Sequence, residues 1–379
     1  MSRFNLVLAD SDEWYIDSLG KFLSGSYKSR FNVNVFTRKE LLEEFLEAGC
    51  GKTDVLLASP DMIPEKAVQR FEPDMVIVLS DGKKPEKYDT MPCINKYQPG
   101  ERIVNSIMEI YSAVNSGMVS VLKGSKKTTL ISVYSPVGGS GKTTIALNLS
   151  IQLSRMGLEV FYLNLESVNT SDCFLKSTDS GHNLSSVLLC LKDYSKRLAV
   201  RLESARCFDA RFNISYFRPA FCSLELDELT EDDTGRLLSE LRDLGQYDVI
   251  VADMDSVLNR RNMAVLSGSD SIVLLLRQDV QSKYKAECFE KEIRKIAGDC
   301  LEELFSRIIP VINRHSPDTL SEEALVNGKE VKYRIPCVID IYSTRNGLKE
   351  LNPDSNIGSC LKEPARGILE SIRARNAAG

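Results

Sequence analysis

Pro136-Val137-Gly138-Gly139-Ser140-Gly141-Lys142-Thr143-Thr144 is the stretch that decides the fold. It follows an apolar run, Leu130-Ile131-Ser132-Val133-Tyr134, that reads as a strand. It opens a helical pattern from Thr143 to Met156, which Gly157 ends. Strand, glycine-rich turn, Lys-Thr and helix in this order make a phosphate-binding loop. Glycine lets the backbone curl until several N–H groups face one anion, and the helix N-terminus adds partial positive charge. Gly138, Gly139, Ser140 and Gly141 form the cradle, and Thr144 follows in the first helical turn. Lys142 has the reach for the β- and γ-phosphates, and the Thr143 hydroxyl suits Mg²⁺.

Around the loop, apolar strand-like runs fall at Thr129–Tyr134, Glu159–Leu165, Asp248–Ala252, Ser271–Leu276, Ile308–Ile312 and Lys332–Val338. Their near-continuous apolar character implies burial on both faces, as in a doubly wound parallel sheet. Helices are expected at Thr143–Met156, Thr234–Leu244, Lys283–Ala297 and Leu361–Arg375. Residues 173–230 read as an irregular insert with a helix at Leu184–Leu191. Ligands of such sheets sit at the C-terminal strand ends. Asp253 closes one apolar run and is the expected partner of a Mg²⁺-bound water. Asn164 and Glu166 close another, and Asn313 a third.

The first 115 residues read as a separate α/β unit, with strands at 4–9, Val33–Phe36, Asp54–Ala58, Met75–Leu79 and Cys93–Tyr97. Helices are expected between them, including Arg38–Glu47 and Pro64–Arg70, with a last one near Glu101–Val114. Alternation of this kind indicates a small parallel sheet. The Gly-, Ser- and Lys-rich stretch 116–127 is the expected linker. The expected domains are thus 1–115, a linker at 116–127, and 128–379.

Composition bounds the function. The chain has 379 residues and a net charge of −5, which argues against a nucleic-acid-gripping surface. No apolar run spans a bilayer, and Met1-Ser2-Arg3-Phe4 reads as leading into a strand rather than a signal peptide, so a cytoplasmic location is expected. Ten cysteines are scattered without a Cys-x-x-Cys pair, and read as reduced small hydrophobes.

Gly-Gly-Ser-Gly-Lys-Thr-Thr, Asn148 on the following helix and the Asp253 strand end together resemble the MinD/ParA class of P-loop ATPases. That resemblance implies ATP and Mg²⁺ as cofactors, a face-to-face homodimer, Thr143 and Asp253 on the metal, and Asn313 and Pro336 near the base. It implies a signature lysine crossing the dimer and two strand-end aspartates that hold the attacking water. Here those positions are Val137, Asn164 and Glu166. Losing a cation near the γ-phosphate removes about 3–4 kcal/mol or more of charge stabilisation. ATP binding is therefore expected to persist and hydrolysis to be slow, with Glu166 and Asp253 as the catalytic candidates. Asp172 is a spare carboxylate, and Arg277 a candidate replacement cation.

The N-terminal unit resembles a response-regulator receiver: Asp10 and Asp12 match its acidic pair, Ser80 its hydroxyl residue and Lys96 its fifth-strand lysine. The phosphoacceptor position falls on Ala58 or Ser59, and Asp61 lies beyond the strand, so aspartyl phosphorylation is not expected. A generic flavodoxin-like domain is the open alternative. A receiver-like domain before a MinD/ParA-like ATPase resembles the TadZ/CpaE group, with TadZ favoured. That implies a polar localisation and assembly factor for tight-adherence (Flp/Tad) pili, with other pilus components as partners. A ParA-like DNA-partition ATPase and a MinD-like membrane-cycling ATPase are the alternatives. The second rests on Leu361, Ala365, Ile368, Leu369 and Ile372 among basic residues, a face that fits either anionic lipid or the sheet.

Overall fold

The computed structural model describes residues 4–27, 31–48, 53–64, 75–82, 86–114, 126–177, 183–193, 198–296, 301–317, 328–337, 342–345, 348–352 and 354–378. The chain divides into two compact units, Met1–Gly124 and Ser125–Gly379. Apart from Lys126 and Lys127, the expected linker lies outside the described residues, as does most of the helix expected at Pro64–Arg70.

Among its described residues the first unit holds five parallel strands, β1 (Phe4–Ala9), β2 (Phe31–Phe36), β3 (Val55–Ala58), β4 (Met75–Ser80) and β5 (Cys93–Asn95). Their order is β2-β1-β3-β4-β5, the flavodoxin-like order. Leu6, Val7, Leu8, Leu56, Leu57 and Ile77 are fully buried, as strands covered on both faces require. Asp12 caps the helix Glu13–Ser26 by accepting from Tyr15 N. Asp10 Oδ1 accepts from Asp12 N at 2.9 Å, and Lys96 Nζ reaches Asp10 Oδ2 at 3.4 Å. β3 ends on Ala58, with buried Ser59 next and Asp61 exposed in the turn beyond.

The second unit is built on an eight-stranded sheet. In chain order its strands are β6 (Thr129–Tyr134), β7 (Val160–Asn164), β8 (Arg206–Asp209), β9 (Ile214–Phe217), β10 (Val249–Asp253), β11 (Ser271–Leu276), β12 (Ile308–His315) and β13 (Tyr333–Pro336). The spatial order is β13-β12-β11-β6-β10-β7-β9-β8, parallel except for β8 against β9. From β6 the chain first builds one side, returns through β10, and then builds the other side with β11. The C-terminal end of β6 is therefore a topological switch point, where the crevice of a parallel sheet opens.

The insert at 173–230 is more regular than its sequence suggests. It contains helices Leu184–Lys192 and Leu198–Ala205, and the β8–β9 hairpin extends the sheet beside β7. The helix Lys142–Arg155 is buried along almost its whole length, against β6, β7 and β10 on one side. The helix Lys362–Ala378 covers it, and Leu361, Ala365 and Ile368 are part of the same core. The apolar face that suits a lipid surface is thus spent inside the protein, where each Leu or Ile contributes roughly 1.5–3 kcal/mol of burial. The side chain of Ile372 lies outside the described residues. Among the described residues, no helix is long and apolar enough to cross a membrane.

Candidate nucleotide site

The loop between β6 and its helix has the backbone that its glycines promise. Gly139 and Gly141 take φ of +66° and +94°, a region that side chains disfavour. Gly141 has a second constraint. A Cβ there would stand 2.5 Å from Asn313 Nδ2. Asn313 reaches the loop from the end of β12 and donates to Ser140 O at 2.7 Å, fully inside the protein. Its Oδ1 accepts from Arg314 N. The residue expected to read a base thus braces the loop backbone in this structure. Pro336 stands exposed at the end of β13, with β11 and β12 between it and β6. Thr144 O accepts from Asn148 Nδ2, which ties the first helical turn to the next.

The ends of β7 and β10 and the loop bring the polar groups together. Lys142 is nearly buried, and its Nζ donates to Ser256 Oγ at 2.8 Å. Thr143 Oγ1 donates to Glu166 Oε2 at 3.0 Å. Asp253 ends β10, in register with Val133 of β6 and Asn164 of β7. Its Oδ2 accepts from Tyr162 OH at 2.8 Å and from Asn164 Nδ2 at 3.4 Å. Its Oδ1 is buried and meets no hydrogen-bond partner among the described residues, and the same holds for Ser140 Oγ.

The electrostatics follow from this geometry. Burial, and then the neighbouring Glu166 carboxylate, push the Asp253 carboxyl up to about 7. Tyr162, Thr143 and Lys142 pull against that rise. Burial likewise raises Glu166, opposed by Thr143 and Lys142. Two carboxylates crowded with a hydroxyl, one of them with an unsatisfied buried oxygen, need a positive charge. A hard divalent cation with oxygen ligands fits this donor set, in which the Thr143 hydroxyl and Asp253 are the candidate ligands.

Sequence reasoning missed several participants. Ser256 holds the loop lysine, and Tyr162 holds Asp253. Arg261 is 1% exposed, and its guanidinium joins Asp255 Oδ2 at 2.6 Å, Ser167 Oγ at 3.2 Å and Asp227 Oδ1 at 3.5 Å. It thereby ties together the segments that follow β7 and β10. The doublet Asp253-Met-Asp255 was the available signal for that cluster. Val137 is 5% exposed and packs inward, with its N–H on Ser135 Oγ. Arg277 pairs with Asp279 at 3.3 Å, and Asp172 with Arg218 at 3.4 Å, so both candidate substitutes are engaged.

The family model described as "AAA domain" matches residues 128–304, which takes in the loop, Glu166 and Asp253. No curated protein matches the chain. Among solved structures, a ParA family ATPase from Chlorobium tepidum is 17% identical with a TM-score of 0.49, over 63% of this chain and 97% of that one. The septum site-determining protein MinD from Pyrococcus horikoshii, complexed with Mg-ADP, is 21% identical with a TM-score of 0.45, over 64% and 96%. A cobyrinic acid a,c-diamide synthase from Mycobacterium smegmatis, with bound ATP analogue and magnesium, is 16% identical with a TM-score of 0.48, over 64% and 94%. By its strand order, its phosphate loop and the matching family model, the second unit has an α/β parallel-sheet fold of the P-loop NTPase kind.

Proposed function

We propose that this protein binds ATP with Mg²⁺ and hydrolyses it slowly, so that the bound state is its output. The observation that carries the reading is the loop itself: positive-φ glycines, a lysine held by one replaceable serine contact, and Thr143 beside Glu166 and Asp253. In use, the loop N–H groups and Lys142 bind the phosphates, while Thr143 and Asp253 hold the cation. When bound there, the cation would neutralise phosphate charge. Glu166 then exchanges Thr143 for a water molecule that it orients. Slow turnover is supported by Val137, an inward-packed side chain that brings no charge to the γ-phosphate.

The wider role we infer is that of a localisation and assembly factor for a tight-adherence pilus system, in the manner of the TadZ/CpaE group. ATP would stabilise a homodimer that recruits other pilus components at a cell pole. A first domain with flavodoxin-like strand order and no carboxylate at the end of β3 supports this, as an unphosphorylated receiver-like docking domain. Of the alternatives, the MinD-like membrane cycle loses ground because Leu361, Ala365, Ile368 and Leu369 are buried. The net charge of −5 disfavours the ParA-like DNA reading.

Binding of a fluorescent ATP analogue to the full chain, with Lys142→Ala as control, tests the biochemical half. Saturable binding that the substitution abolishes is expected; equal binding by both would overturn it. Sedimentation with and without ATP tests the dimer, and a monomer under both conditions would remove the hub.

A further inference from the structure

We infer that Tyr162 is a positioning residue for the metal-binding carboxylate, acting with Asn164 as a one-way chain of hydrogen bonds. The inference rests on the nucleotide-binding role of the site, and names what sets its cation affinity. Three bonds form the chain. Glu166 N donates to Asn164 Oδ1 at 2.8 Å, Asn164 Nδ2 donates to Tyr162 OH at 3.1 Å, and Tyr162 OH donates to Asp253 Oδ2 at 2.8 Å.

With Asp253 ionised, the direction of every bond is forced. A backbone N–H can only donate, so the Asn164 atom facing Glu166 N is its oxygen. That leaves the amino group for Tyr162. A phenol has one hydrogen; with Asn164 already donating to its oxygen, that hydrogen goes to the carboxylate. Tyr162, Asn164 and Asp253 are all more than nine-tenths buried, so water does not compete for these groups. The chain ties Oδ2 back toward the sheet. Oδ1 is the remaining lone-pair bearer on the same carboxylate, buried and without a hydrogen-bond partner among the described residues.

The chain gives Asn164 a physical reason. A carboxylate at 164 would stand where an amide nitrogen now lies 3.4 Å from Asp253 Oδ2. Two buried like charges at that range disfavour ionisation of both, and an ionised Asp253 is what a cation needs. Asparagine supplies donors instead. Tyr162 adds the stronger, charge-assisted bond. A hydrophobe in its place would free the carboxylate to rotate and leave Oδ2 largely unsatisfied.

The test compares the affinity of a fluorescent ATP analogue for the full chain in Mg²⁺ and in EDTA, for the unaltered protein, Tyr162→Phe and Asn164→Ala. The ratio of the two affinities isolates the cation. Residues that orient metal ligands are worth about 10- to 100-fold in metal affinity. Tyr162→Phe is expected to cut the ratio by that range while the EDTA affinity holds. Asn164→Ala is expected to cut it less, since it leaves the Tyr162–Asp253 bond. A purely structural role would lower both affinities together and leave the ratio unchanged; that result in either folded variant overturns the assignment. If the unaltered protein binds no nucleotide, the proposed function falls and this inference with it. If it binds with a Mg²⁺ gain that Tyr162→Phe retains, this inference alone falls.

Discussion

Gly141→Ala is the substitution whose cost the structure fixes most closely. Two independent terms add. The native φ of +94° strains any residue with a Cβ, by roughly 1–2 kcal/mol. The new Cβ would also stand 2.5 Å from Asn313 Nδ2, closer than such contacts allow, so the asparagine must withdraw. Withdrawal breaks the 2.7 Å bond to Ser140 O and strands a buried donor and acceptor, about 1–3 kcal/mol. The sum is about 2–5 kcal/mol. For a domain of this size each kcal/mol lowers Tm by about 2–4 °C. Scanning calorimetry of the full chain, following the transition that ATP and Mg²⁺ raise, reads the effect. A cycle with Asn313→Ala separates the terms: without Asn313, the Gly141→Ala penalty should shrink to the strain of about 1–2 kcal/mol. An equal penalty in both backgrounds would refute the steric argument, and no penalty in either would refute the loop geometry.

Two further perturbations probe other parts of the account. Val137→Lys should raise steady-state ATP turnover by about tenfold or more, since a cation at the γ-phosphate supplies several kcal/mol. The same change should lower Tm, because a charge enters a position that is 5% exposed. Unchanged turnover, measured by phosphate release, would mean that the missing lysine does not limit the rate. Asp233 provides a pH test. Burial pushes its carboxyl up, but the Lys192 ammonium, at 2.9 Å, and the Thr230 capping box outweigh that and hold it below the usual range. Its stabilisation is therefore full above the unfolded carboxylate value and lost as pH falls through the folded one. Asp233→Asn should cost about 1 kcal/mol near neutral pH, in line with a cap. The cost should fade as pH drops below the usual carboxylate range and through the folded value, where both proteins lack the charge. A cost independent of pH in urea titrations would remove the charge from the explanation.

What the sequence discloses depends on how local the physics is. The loop is legible because glycine, lysine and threonine act within nine residues, and because β6 and its helix flank it directly. Strands such as β10 and β11 are legible as unbroken apolar runs. The hairpin β8–β9 is not: Arg206–Asp209 is only four residues long, and one of its faces carries Arg206 and exposed Phe208. The helix Arg260–Gly268 begins Arg-Arg-Asn and hides its purpose, since Arg261 is buried by ion pairs and not by an apolar stripe. Tyr162 reads as one more core aromatic in β7. Its partner lies 91 residues away, and only the sheet order brings β7 beside β10. Asn313 shows the converse. Its apolar run reads as a strand in the sequence, although the strand continues to His315, but the contact with Ser140, 173 residues earlier, emerges only from the folded sheet.

The most direct test of the central claim is to measure ATP binding and turnover on one preparation of the full chain with Mg²⁺. One nucleotide per chain is expected, lost in Lys142→Ala, with a turnover near that of an unassisted P-loop enzyme, on the order of 10⁻³ s⁻¹. Absence of binding, or turnover at the rate of an enzyme with its γ-phosphate cation in place, would contradict it.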